Sequence, residues 1–298
     1  MLETRPLRTG EEAIWTSLGA AVATGRLDSD DITVALRRGD ERSLLIALEG
    51  RLCVGRLRGR FLNPRLYFVA ELTVAESAPY EEVARSLATY LADSFYENGT
   101  EVLAWDKRAA RKVNAALESA GFVVGRKKVF VERDLSDYSS PYEGALEYRS
   151  LAQLGEERFL EIMTEASTGD PFEDMSERDP RAEFRELKEY AGDKFQPTWW
   201  RVAFKGEHPV GVILPQEFAD REGEGTLFYV GVVPDKRGHG YGKLLHATGL
   251  AFLAGNGVTH YVGSTDTRNA PMLRVFEANG CGITGTQLFY KALRKDLR

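Results

Sequence analysis

The feature that most constrains this chain is that it repeats itself. Ala47 to Gly55 (ALEGRLCVG) and Ala203 to Gly211 (AFKGEHPVG) share Ala, Gly, Val and Gly at the same spacing, an offset of 156 residues. Asn114 to Phe122 and Leu273 to Cys281 share Glu118/Glu277 and Gly121/Gly280 at an offset of 159, and Arg133-Asp134-Leu135 answers Lys295-Asp296-Leu297 at 162. A single match of this kind is within reach of chance. Three in one order at nearly constant offset mark a duplicated domain with small loop insertions, and 298 residues is the length of two ordinary domains.

The predicted elements follow the same order in both copies. In the first, SLLIAL and RLCVGRLR flank the turn Glu49-Gly50, and LYFVAELTV follows, which predicts three antiparallel strands. Tyr80 to Phe95 carries Val83, Leu87, Tyr90, Leu91 and Phe95 at helical spacing, TEVLAW is a short strand, Ala109 to Ala120 is a helix ended by Gly121, and VFVERDL is a final strand. The second copy runs WWRVAF, PVGVIL, TLFYVGVV, a helix over Gly242 to Leu253, HYVGST, a helix over Ala270 to Ala278, and a last hairpin around TGTQLFYKAL. Ser136 to Pro141 is polar and ends in a helix breaker, so it reads as the linker.

One stretch carries chemistry. TLFYVGVV runs straight into Pro234-Asp235-Lys236-Arg237-Gly238-His239-Gly240-Tyr241-Gly242-Lys243, after which a helix begins. A helix start presents unpaired N–H groups and the positive end of its dipole, which suits a pyrophosphate. Gly238, Gly240 and Gly242 remove the Cβ atoms that would hold a phosphate off, and Arg237 and Lys243 add positive charge. Taken alone, three such glycines also fit a flexible turn.

The stretch resembles the signature of the GNAT N-acetyltransferase superfamily, an Arg/Gln-x-x-Gly-x-Gly/Ala loop after a strand ending Val-x-Pro. Here Val232-Val233-Pro234 leads to Arg237-Gly238-His239-Gly240-Tyr241-Gly242. A second landmark, an Asn before a helix that ends in Gly, is similar to Asn269-Ala270-Pro271 leading through Phe276 to Gly280. The resemblance is strong from about Leu146 onward. Residues 1 to 135 resemble the same fold without its signature, so the chain resembles a tandem GNAT protein with the arrangement of mycothiol synthases. The implied fold class is α/β (α+β): two tandem GNAT-like domains, each with a mixed, mostly antiparallel sheet, a splayed parallel strand pair and flanking helices. The implied domains are 1–137, degenerate and without a phosphate loop, and 146–298, with an acetyl-CoA site.

The resemblance also implies roles. Acetyl-CoA, or another acyl-CoA, would lie between the splayed strands, with backbone groups of Val232 and Val233 on the pantetheine arm and the thioester carbonyl. Backbone N–H groups of Arg237, Gly238, His239, Gly240, Tyr241, Gly242 and Lys243 would hold the pyrophosphate, and Asn269 would bond the pantetheine or phosphate side. The acid–base positions of many family members are not matched: the tyrosine that protonates the thiolate falls at Phe276 and a strand glutamate at Phe228. Tyr229, Asp266 or a carboxylate in the loop before WWRVAF are the candidate substitutes, and unassisted release is the other course, because a thiol of reference pKa about 8.5 leaves without a strong acid. In the first copy the loop position holds Glu76-Ser77-Ala78-Pro79-Tyr80-Glu81-Glu82, which lacks glycine and would repel a pyrophosphate. The acids there also suit the first turn of a helix. This domain is expected to scaffold or to shape the acceptor cleft.

Composition narrows the remaining classes. With 43% hydrophobic and 28% charged residues and a formal charge of -6, the chain is globular and has no overall attraction to nucleic acid or an anionic membrane. No apolar run approaches the ~18 residues of a membrane span, and the start carries Glu3, Glu11 and Glu12 with no signal-like run, so a cytoplasmic protein is expected. Cys53 and Cys281 make no disulfide framework and read as core residues; His208, His246 and His260 have no metal-like spacing, so no metal is expected. His239 is either an exposed loop residue or a phosphate contact. Trp199-Trp200 suit core packing better than substrate stacking. The loop Thr168 to Pro180 has five acids and one base, which is ordinary for a solvated loop and would also suit a cationic amine. Together these point to an acyl-CoA-dependent N-acyltransferase acting on an amine of a small molecule or peptide, against a non-catalytic CoA-binding sensor. A third class, a transferase using aminoacyl-tRNA, calls for a basic surface and no phosphate loop.

Overall fold

The computed structural model describes residues 2–18, 43–63, 65–142, 144–172, 175 and 179–294. It is a mixed α/β structure that divides into two compact units, Met1–Lys127 with Gly285–Arg298, and Lys128–Thr284.

In the first unit the strands are β1 (Leu2–Pro6), β2 (Leu44–Glu49), β3 (Leu52–Asn63), β4 (Leu66–Val74) and β5 (Glu101–Trp105), with helices α1 (Glu12–Ser17), α2 (Tyr80–Phe95) and α3 (Arg111–Ser119). Strand β6 (Phe122–Asp134) begins in this unit, and β12 (Gly282–Ala292) completes it, giving the order β1-β2-β3-β4-β5-β12-β6. Strand β2 is apolar from Leu44 to Leu48 because both its faces are covered. Leu45 and Ala47 join the core built on Val83, Leu87 and Leu91 of α2, while Leu44, Ile46 and Leu48 pack on Trp15 of α1.

The second unit takes the end of β6, then β7 (Glu147–Ser150), β8 (Arg201–Lys205), β9 (His208–Glu217), β10 (Glu224–Val232) and β11 (His260–Asp266), in the order β6-β11-β10-β9-β8-β7. Its helices are α4 (Leu151–Leu154), α5 (Glu156–Ser167), α6 (Pro180–Ala191), α7 (Tyr241–Gly255) and α8 (Ala270–Ala278). The same two-faced burial returns. Val202, Phe204, Val212 and Leu214 enter the large core around Trp200, Phe159 and Phe184, and Ala203, Val210 and Ile213 pack on Leu245.

The internal repeat is visible in detail. The hairpins β2–β3 and β8–β9 turn on Gly50 (φ +62°) and Gly206 (φ +60°), and the ladder register shifts after Ala47 in one and after Ala203 in the other. Those alanines are equivalent in the repeat.

Two features differ from the sequence reading. TGTQLFYKAL is expected as a hairpin, but Gly282–Ala292 is one strand. It pairs with β5 of the first unit, from Gln287↔Trp105 to Tyr290↔Val102, and buries Leu288 and Tyr290 in that unit's core. Conversely, Lys128 to Asp134 of β6 pairs along all of β11 and buries Val129 and Val131 in the second unit. A division at the linker, 1–137 and 146–298, treats each half as contiguous, whereas the end of β6, Lys128–Asp134, falls in the second unit and β12 from Gly285 onward falls in the first. Burial of those strands supplies the reason, since each leaves its apolar face nowhere else to go. The sequence match at Lys295-Asp296-Leu297 lies outside the described residues.

Buried Cys53 and Cys281 are free thiols, and burial pushes Cys281 up to about 11. Among the described residues no group of three metal-ligating side chains occurs, and no helix is long and apolar enough to cross a membrane.

Candidate active site

Strands β10 and β11 run parallel but pair only at Glu224↔His260 and Gly225↔Tyr261. Beyond that point they part. A bulge explains the divergence: between Leu227 and Val230, the two residues Phe228 and Tyr229 oppose the single Leu214 of β9. The extra residue interrupts the ladder and increases the local twist, which carries the end of β10 away from β11. The first unit has a similar pair, with β4 and β5 parallel only from Leu66↔Glu101 to Phe68↔Leu103.

The backbone at the end of β10 decides what faces the gap. Val233 donates its N–H to the Val210 carbonyl of β9 at 3.0 Å, and Gly231 pairs with Val212. Strand alternation therefore turns the N–H and C=O of Val232 to the opposite edge, toward the gap. Its carbonyl is met by Arg237 Nε at 3.0 Å. So of the pair Val232 and Val233, only Val232 presents a free N–H to the gap.

After the tight turn Pro234–Lys236 the chain reaches Gly238 and Gly240, with φ of +80° and +81°. Both need a residue that tolerates the left-handed region. At each of them a Cβ would meet nothing within 4 Å, so the space above the loop is open. Helix α7 begins at Tyr241 with Gly240 as its N-cap and no side-chain cap. The N–H groups of Tyr241, Gly242 and Lys243 thus have no carbonyl within the helix to receive them. This cradle fits a pyrophosphate. His239 turns its Nδ1 to the Arg237 carbonyl at 2.8 Å, bracing the loop, and Lys243 is exposed with its Nζ 5.9 Å from the Tyr142 ring centroid.

Arg237 commits its Nε and Nη2 to backbone carbonyls. Besides Val232, its Nη2 donates to the carbonyls of Ala166 (3.0 Å) and Thr168 (2.8 Å) at the end of α5. Tyr229 donates its hydroxyl to the same Ala166 carbonyl at 3.3 Å. Asp266, at the end of β11, is gripped by Arg268 through Nε at 2.9 Å and Nη2 at 3.0 Å and by the Arg268 N–H at 2.9 Å. Those bonds from Arg268 hold its carboxyl below the usual carboxylate range. Asn269 caps α8, its Oδ1 accepting from Met272 N at 3.1 Å, which leaves its Nδ2 for other partners.

Phe276 is buried and meets His246 edge-on. Phe228 stacks on Tyr190, with centroids 5.3 Å apart, and touches Trp200. Trp199 and Trp200 lie in the core. Of the acidic loop, Asp179 caps α6 by accepting from Arg181 and Ala182 N–H; residues 173, 174 and 176–178 lie outside the described residues.

The sequence reading passed over one network. Asn279 Nδ2 donates to the Lys243 carbonyl (3.1 Å) and to His246 Nδ1 (2.9 Å), so the ring proton sits on Nε2, which lies 3.2 Å from the Tyr261 hydroxyl. Arg133 Nη1 in turn donates to the Asn279 carbonyl at 2.7 Å. Burial pushes His246 down to about 3, so it stays neutral. The network ties the first turn of α7 to α8 and β11. Its sequence signal was slight: His246 lies one turn beyond Lys243, and Asn279 immediately precedes the helix-ending Gly280.

A parallel pair split at a bulge, with a glycine cradle at the next helix start, agrees with the family model for the acetyltransferase (GNAT) family, which matches residues 159–282. The match takes in β8 to β11 and the glycine cradle, and it spans less than half of the chain. Mycothiol acetyltransferases of Streptomyces scabiei (strain 87.22) and Streptomyces bingchenggensis (strain BCW-1) are similar to this chain, 33% identical over 109 residues and 32% over 108. Each match covers 36% of this chain and 35% of the relative, so the match spans about a third of the length of these curated relatives. Two solved structures share the fold of nearly the whole chain. A GCN5-related N-acetyltransferase from Sphaerobacter thermophilus superposes with a TM-score of 0.65 at 18% identity, covering 97% of this chain and 95% of that one. A tandem GNAT protein from the clavulanic acid biosynthesis pathway does so at 0.57 and 15%, covering 99% and 100%. In this chain the residues matched by the family model lie within the second unit. In the first unit the equivalent helix α2 starts behind Pro79 with Glu81 and Glu82 in its first turn.

Proposed function

We propose that the protein is an acyl-CoA-dependent N-acyltransferase, with acetyl as the acyl group, and that its second unit transfers this group directly to an amine of a small molecule or peptide. The observation that carries the reading is the split between β10 and β11 beside the open cradle of Gly238 and Gly240. When bound, acetyl-CoA supplies an activated acyl carbon and a thiol leaving group of reference pKa about 8.5. The Val232 N–H would donate to the acyl carbonyl oxygen from the edge of β10. The N–H groups of Gly238 to Lys243, with the dipole of α7, would hold the pyrophosphate, and Asn269, whose Oδ1 is taken by its helix cap, would use Nδ2 on the pantetheine or phosphate side. The two strand edges would hold the acyl carbon beside the acceptor, so that proximity contributes ~7 kcal/mol or more to lowering the barrier. The names of the mycothiol acetyltransferase relatives make small amines the first acceptors to try. The test is release of free thiol from acetyl-CoA across an amine panel. An amine-dependent rate supports the reading, and none with any amine, alongside tight CoA binding, supports the alternative of a CoA-binding sensor. That alternative is favoured by Phe276 and Phe228 at the acid–base positions, with Asp266 locked to Arg268.

A further inference from the structure

The end of α5 and the loop that follows it reach both sides of the split. On the β10 side, Arg237 uses three donor hydrogens on backbone carbonyls: one from Nε on Val232, and two from Nη2 on Ala166 and Thr168. The last two are carbonyls that a helix leaves unpaired at its C-terminus, where the dipole is negative, so a guanidinium suits them in both hydrogen bonding and charge. Tyr229, in the bulge itself, adds a second donor to Ala166. On the β11 side, Phe172 lies under the Arg268 guanidinium, 5.6 Å from its ring centroid, and Arg268 is itself fixed on Asp266. Between these anchors the segment has its own bonds, Asp170 N–H to the Ser167 carbonyl (2.9 Å) and Phe172 N–H to Asp170 Oδ1 (2.9 Å).

We propose that Ala166 to Phe172 is a strap across the open end of the split, and that Arg237 is the positioning residue that seats it, not a ligand of the cofactor's phosphates. An arginine suits this from one position, since its planar fork spreads separate N–H groups over the three carbonyls, whereas a lysine's three donors all sit on one nitrogen. The same residue starts the glycine cradle, so the seat of the strap and the shape of the cradle are set together. An acceptor entering beside the strap therefore meets a surface fixed by the cofactor loop. This rests on the reading of the split as the acyl-CoA site.

The test compares Arg237→Gln, Arg237→Lys and Lys243→Ala in the full chain. Amide hydrogen exchange at Thr168, Asp170 and Phe172, without any ligand, should speed up by ~10-fold or more in both Arg237 variants and stay unchanged in Lys243→Ala. Calorimetry with coenzyme A should show Arg237→Gln weakening binding by less than ~5-fold, below the ~10-fold or more expected for loss of a charged phosphate contact. Unchanged exchange in the Arg237 variants would overturn the proposal. So would a loss of binding above ~10-fold in Arg237→Gln that Arg237→Lys restores, because that is the signature of a phosphate ligand. Failure of the parent chain to bind coenzyme A would instead remove the proposed function, while the exchange arm would still report on the strap.

Discussion

Arg268 holds Asp266 by two side-chain bonds, Nε to Oδ1 at 2.9 Å and Nη2 to Oδ2 at 3.0 Å. The carboxyl is buried while the guanidinium is largely exposed, and the pair keeps Asp266 ionised well below neutral pH. A group whose folded pKa is depressed adds stability above its unfolded value of about 3.9 and loses it as pH falls through the folded value. An ionised carboxylate has no proton to give at working pH, so Asp266 is expected not to serve as the donor. Asp266→Asn should therefore leave the shape of kcat against pH unchanged between pH 6 and 9, while lowering acid-side stability less steeply than in the parent. Loss of a titrating limb from the profile would return Asp266 to the reaction.

Tyr229 spends its hydroxyl on the Ala166 carbonyl. Its removal in Tyr229→Phe should cost about 0.5–1.5 kcal/mol of stability, the worth of an ordinary hydrogen bond. Steady-state kcat should fall less than ~10-fold, against the ~10²–10⁴ that loss of a general acid brings. A fall in the larger range would make Tyr229 the missing donor.

Much of this site was legible in the sequence for a local reason. The helices over Tyr80 to Phe95 and Ala270 to Ala278 are marked by apolar spacing and by Pro79 and Asn269 before them, and the structure has those bounds. Gly238 and Gly240 announce a cradle because their conformations are nearly closed to other residues. What escaped is non-local. One partner of β12 is β5, 182 residues earlier at Gln287↔Trp105 and 188 earlier at Tyr290↔Val102, and nothing in the alternation of TGTQLFYKAL names it. Strand β1, LETRP, is short, polar and ends in proline, so only its pairing with β2 makes it a strand. Arg237 looked like charge for a phosphate, and its use on three carbonyls depends on where α5 ends.

His246 supplies a pH signature. Its pKa, held by burial at about 3, compares with about 6.5 in an unfolded chain. The unfolded state binds the extra proton between these values, so stability is full above about pH 6.5 and is lost as pH falls, by up to about 1.4 kcal/mol per unit. Chemical denaturation of the parent and His246→Gln should show the parent falling more steeply between pH 6.5 and 5. Parallel curves would mean that His246 is solvated or charged in the folded protein.

The most direct test of the account is a calorimetric titration of acetyl-CoA into the parent chain, Gly240→Glu and Glu81→Ala. Among the described residues, the helix that follows the split parallel pair starts on a positive-φ glycine in the second unit and behind Pro79, with two glutamates in its first turn, in the first unit, so the parent should bind one molecule per chain. Gly240→Glu places a side chain and a negative charge in the cradle at a positive φ and should weaken binding by at least ~2 kcal/mol, while Glu81→Ala should match the parent. Two equivalent sites per chain, or equal effects of the two substitutions, would contradict the assignment of the cofactor to the split between β10 and β11.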